Sequence, residues 1–123
     1  MRLLLDTHVL LWWLADSPRL TRTHRTLIAD GAHMALVSTI SLAEISIKAS
    51  LGKLEAPDNL ADAVRASGFE LLDFGPAAAE ALRDLPWHHR DPFDRMLICQ
   101  ALADGLTLLT INPRIQDYAV HTA

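Results

Sequence analysis

Four carboxylates and one amide stand in this chain where strands would hand over to helices. Asp6 ends the apolar run Leu3–Leu5, Glu44 falls three residues after Ser41, Asp91 and Asp94 bracket Pro92, and Asn112 follows the apolar stretch Leu106–Thr110. In an open parallel sheet, ligands bind beyond the carboxyl ends of the strands, where helix N-termini also point. The spacing therefore predicts that these five side chains gather on one edge. Two like charges about 4 Å apart repel by roughly 4 kcal/mol at an effective dielectric near 20, so such a cluster needs a cation. Hard oxygen ligands without thiolate or regular histidine spacing select Mg²⁺, with Mn²⁺ as a substitute, over Zn²⁺. A metal held this way can activate water and neutralise charge on a phosphoryl group, which is the chemistry of phosphodiester hydrolysis.

Each residue also has a plainer role. Ser41 and Glu44 have the form of a capping box that would put Glu44 in a first helical turn. Asp91 before Pro92 is a natural N-cap, and Asp94 would complement the helix dipole. Asp6 is harder to explain this way, because a carboxylate ending a buried strand must find donors or a cation. Thr7 and Ser38 are candidates to orient a ligating carboxylate or water. Lys48, one turn beyond Glu44, could pair with it or meet a phosphate, and Arg90 and Arg95 are candidate contacts to a phosphodiester backbone, as are His88 and His89 when protonated.

The elements that must position these groups follow from apolar runs and punctuation. Leu3–Leu5, Met34–Val37, Glu70–Leu72 and Leu106–Thr110 read as strands, with Val120–Thr122 as an edge strand. Helices are expected from about His8, from Thr21 or Thr23 to Gly31, from Ser41 to Gly52, from Asp58 or Asn59 to Ser67, from Pro76 to before Pro86, and from Asp91 to Gly105. A short turn or helix runs from Pro113 to Tyr118. The alternation implies an α/β sandwich with a mainly parallel sheet. Val9–Leu14 is apolar on every side, so its helix is buried or faces a partner, and at least one of Trp12, Trp13 and Trp87 is expected at a dimer or partner interface.

Composition narrows the field further. The chain has 123 residues, enough for one domain over residues 1–123. Eleven basic against fifteen acidic residues give a net charge of −4, so an anionic partner needs local cations or a metal. The single cysteine, Cys99, excludes a disulfide framework and suits a reducing cytoplasm. No export signal or membrane span is expected, since Asp6 and His8 interrupt the apolar start. No glycine-rich phosphate loop is present. An aspartyl phosphotransferase would want Asp-x-Asp after strand one, where this chain has His8.

LLLDTHVLLWWL, STISLAEISIKASLGKL, HHRDPFDRMLICQA and LTLLTIN, in this order and spacing, resemble the VapC-type toxins of the PIN-domain ribonuclease family. The resemblance spans nearly the whole chain. It implies a PIN-like three-layer α/β sandwich, Mg²⁺-dependent endoribonuclease activity, a toxin role in a toxin–antitoxin system, and a small VapB-like antitoxin, with a homodimer or toxin–antitoxin hetero-oligomer as the assembly. It maps Asp6, Glu44 and Asp94 onto the family's metal-binding acids. Asp91 and Asn112 are further candidate ligands. The family often has Asp where Asn112 stands, and the lost charge leaves open a scaffold reading: a PIN-like protein with little or no catalysis that binds RNA or a protein.

Overall fold

The computed structural model describes residues 1–123. The elements run β1 (Arg2–Leu5), α1 (Thr7–Leu14), α2 (Arg22–Ala29), β2 (Met34–Ser38), α3 (Thr39–Ser50), α4 (Leu60–Ala66), β3 (Glu70–Leu72), α5 (Pro76–Ala81), α6 (Pro92–Asp104) and β4 (Thr107–Leu109), followed by a 3₁₀ turn at Pro113–Asp117. The strands form one all-parallel sheet in the order β3-β2-β1-β4. Because side chains alternate across a strand, β1 feeds both faces. Leu4 joins Leu36, Leu97, Ile98 and Leu108 in one apolar cluster, while Leu3 and Leu5 join Val9, Val37, Ile45 and Val64 in the other. The result is a three-layer sandwich of helices, sheet and helices, as expected.

The order of strands decides where a site can form. The chain builds outward from β1 through β2 to β3, then crosses to place β4 on the free side of β1. That reversal makes the carboxyl ends of β1 and β4 the switch point of the sheet, the place at which ligands bind in such folds. Asp6 and Thr110 are the residues that follow these two strands.

Several junctions differ from the sequence reading. Helix α3 is capped by Ser38, whose Oγ accepts the Ile40 N–H at 3.0 Å, and not by Ser41. Ser41 is instead buried a turn inside and accepts a hydrogen bond from the Thr7 hydroxyl at 3.0 Å. Glu44 therefore lies in the middle of α3. Helix α2 stops at Ala29 with Asp30 as its C-cap, before Gly31. Val120–Thr122 makes only an isolated parallel bridge, Leu108 to Thr122, in place of a strand. Gly105, by contrast, does end α6 in the left-handed conformation (φ 65°) that favours glycine. Val9 and Leu10 of α1 are buried, and Leu11, Trp12, Trp13 and Leu14 are half-buried against the same cluster. No helix is long and apolar enough to cross a membrane.

Candidate metal centre

Asp6 sits where β1 passes into α1 without an intervening loop. Its N–H donates to the Leu109 carbonyl at 3.0 Å, continuing the sheet, while its Oδ1 accepts the Val9 N–H at 2.8 Å and caps α1. The cap accounts for one carboxylate oxygen. Burial pushes the Asp6 carboxyl above its usual range; the Thr110 hydroxyl and the Val9 amide oppose that push without cancelling it. The charge of Asp94 also raises it.

Glu44 reaches the same edge from α3 and is 3% exposed. Its Oε2 accepts from Lys48 Nζ at 2.6 Å, and its Oε1 is buried with no hydrogen-bond partner. Leaving a buried carboxylate oxygen unsatisfied is costly. The hydrogen bond to Glu44 raises the Lys48 ammonium, with Asp91 and Asp94 adding to the effect, so this lysine feels three of the four acids.

Asp94 opens α6. Its Oδ2 accepts from His89 Nε2 at 2.8 Å and from Asn112 Nδ2 at 3.3 Å. Burial pushes its carboxyl up and His89 pulls it down, while Asp91 and Glu44 raise it further. Asp91 is the N-cap of α6: its Oδ1 accepts the N–H groups of Phe93 and Asp94 at 2.9 and 3.2 Å.

The expected residues meet in this region, in an arrangement the spacing did not foresee. The three ligand atoms that lie within 4.8 Å of one another belong to His89, Asp91 and Asp94. Asp6 and Glu44 are not part of that group, yet each interacts with the charge of Asp94. A histidine is thus part of the neighbourhood, where only oxygens were expected. Asn112 presents its amide nitrogen to Asp94; its carbonyl oxygen, the expected ligand atom, accepts from Arg114 N–H at 3.0 Å and caps the 3₁₀ turn. That backbone donor fixes which way the amide faces.

Other roles are corrected as well. Arg95 is buried and is not a free RNA contact: it donates to the carbonyls of Leu85, Pro86 and His89 and to Tyr118 Oη. Thr7 turns to Ser41 and Ser38 caps α3, so the hydroxyl that meets Asp6 is that of Thr110. Sequence reasoning passed over Thr110, the contact of Ser41 with Thr7 and the pairing of His89.

A hard divalent cation suits these donors. Buried carboxylates raised by lost hydration, and an oxygen of Glu44 with no partner, are what a dehydrated cation would satisfy.

Comparison with known proteins agrees with this architecture. The PIN domain family matches residues 3–120. Ribonuclease VapC22 of Mycobacterium tuberculosis (strain ATCC 25618 / H37Rv) is 30% identical over 122 residues, covering 94% of this chain and 90% of that protein. Among solved structures, VapBC2 from Rickettsia felis bound to a DNA fragment from their promoter superposes with a TM-score of 0.73 at 17% identity, covering 100% of this chain and 98% of that one. FitAcB from Neisseria gonorrhoeae gives 0.70 at 19% identity, covering 98% and 95%. DNA-bound VapBC from Salmonella typhimurium gives 0.68 at 21%, covering 100% and 97%. At these identities the structural likeness is one of fold.

Proposed function

The chain belongs to the PIN domain family, and from that membership we propose that residues 1–123 form a single-domain VapC-type endoribonuclease, the toxin of a toxin–antitoxin pair, which hydrolyses RNA in the cytoplasm. Asp6, Glu44 and Asp94 would hold Mg²⁺, or Mn²⁺ in its place. Asp91 stands next to them with one oxygen committed to its cap. The observation that carries the reading is the buried, unpartnered Oε1 of Glu44 on an edge where burial already raises Asp6 and Asp94. When bound there, the ion would lower the pKa of a coordinated water and neutralise charge growing on the phosphoryl group.

The chain's own groups do the rest. Val9 N–H and Thr110 fix Asp6, and His89 and Asn112 fix Asp94, so both carboxylates present a set orientation. Lys48, on leaving Glu44 Oε2, is placed to meet a phosphate oxygen. A cleft of about 340 Å³ beside α1, lined in part by Leu11, Leu14 and Ala56, offers the apolar surface on which a VapB-like antitoxin would seat.

One observation favours the scaffold reading. Lys48 supplies a counter-charge to Glu44, and His89 donates a hydrogen bond to Asp94, without a metal. A single experiment separates the two. RNA cleavage by the purified protein should require Mg²⁺ or Mn²⁺, stop with chelator, and vanish in folded Asp6→Asn and Asp94→Asn proteins. Cleavage that survives in both variants would overturn the site, and no metal-dependent cleavage by the unaltered protein would leave the scaffold.

A further inference from the structure

The segment leading into α6 carries a second cluster of opposite sign. Arg83, Arg90, Arg95 and Trp87, with Leu82 and Met96, line a cleft of about 350 Å³. No carboxylate lines it, and none of its three guanidinium groups is ion-paired. In a chain of net charge −4, that is a local excess of positive charge.

Its geometry is built rather than incidental. Arg95 is locked by four acceptors, the carbonyls of Leu85, Pro86 and His89 and the Tyr118 hydroxyl. Its Cζ lies 3.6 Å from the centroid of the Trp87 ring. Trp87 is nonetheless 73% exposed, so the ring rests on a fixed cation and offers its remaining surface to solvent. An indole held this way loses little freedom when a second planar group stacks on it. The cleft also adjoins the acidic edge, because His89 donates from Nε2 to Asp94 while its carbonyl accepts from Arg95.

We propose that this cleft receives an unpaired nucleotide of the RNA strand beside the scissile bond, its base stacked on Trp87 and its flanking phosphates met by Arg83 and Arg90. The inference rests on the ribonuclease reading of the acidic edge. It adds to that reading a defined anchor for one base next to the cut, on a platform that a duplex would leave empty because pairing hides the base faces.

The test measures binding apart from cleavage. A short fluorescein-labelled single-stranded RNA is titrated with protein in chelator and followed by anisotropy. Trp87→Ala should weaken binding about tenfold, the size of one lost stack, while Trp87→Phe keeps most of the affinity. Arg83→Ala and Arg90→Ala should weaken binding and flatten its salt dependence. A duplex of the same sequence should bind the Trp87 variants and the unaltered protein alike. Equal single-strand affinity in Trp87→Ala and the unaltered protein overturns the proposal. If Trp87→Ala does not fold, unchanged affinity and salt slope in both arginine variants overturn it. Stacking that persists while the unaltered protein fails to cleave RNA with metal would count against the ribonuclease reading alone.

Discussion

The acidic edge and the arginine cleft are separated by a few residues of chain and solve opposite electrostatic problems. At the edge, Asp6, Glu44, Asp91 and Asp94 are gathered with fewer partners than they could use, and burial works against the charged forms of Asp6 and Asp94. In the cleft, Arg95 is buried with ample partners, all of them neutral oxygens, so its donors are satisfied while its charge is not. Polar satisfaction and charge compensation are therefore separate quantities. One region holds more anions than cations and the other holds cations without anions, a pairing that the proposed cutting of a polyanion at a metal would use.

The contrast breaks most visibly at the acids. Asp6→Asn and Asp94→Asn should each lower metal-dependent RNA cleavage by about 10³-fold, several kcal/mol of lost charge stabilisation at the metal. The same changes should raise the melting temperature of the metal-free protein at neutral pH. Both carboxyls titrate above their ordinary value in the folded state, so folded protein binds more protons than unfolded. Stability is then present at low pH and is lost as pH rises from the ordinary value of 3.8 through the raised one. An uncharged amide escapes that loss. Melting curves across this range, in chelator, check the sign.

On the other side, Arg95→Met should destabilise the fold by about 3 kcal/mol, because buried carbonyls lose their donors. Denaturant unfolding measures it, and a neutral result would mean that the cleft is held by something else. A smaller effect sharpens the acidic side: Asn112→Asp should tighten Mn²⁺ binding about tenfold by calorimetry, by adding a negative charge next to Asp94. Smallest, Lys48→Met should improve Mn²⁺ affinity by a few-fold, since it frees Glu44 Oε2 from its present partner.

How far the sequence foretold these regions depends on the range of the interactions. The apolar run Leu3–Leu5, the Asp91-Pro92 helix start and the Gly105 stop are local signals, and each appears in the structure where expected. Parallel topology led to the expectation that Asp6, Glu44 and Asp94 gather on one edge, while the close group of ligand atoms is that of His89, Asp91 and Asp94. What could not be read were choices settled at a distance. Ser38 and Ser41 offer equally good caps, and only the contact of Ser41 with Thr7, 34 residues away, shows which is spare. Arg95 looked free because three of its four acceptors are backbone carbonyls, which no residue type advertises, and the fourth is the distant Tyr118 hydroxyl. The facing of Asn112 was set by a turn that begins one residue later.

At two joints the backbone passes from strand to helix through a lone residue, Asp6 between β1 and α1 and Ser38 directly at the end of β2. There is no slack at either joint. An insertion of a single amino acid there would turn the following helix by about 100° and swing its apolar stripe out of register with the sheet. Length variation in relatives of this protein should therefore collect in the stretch 51–59, between α3 and α4, and spare both joints.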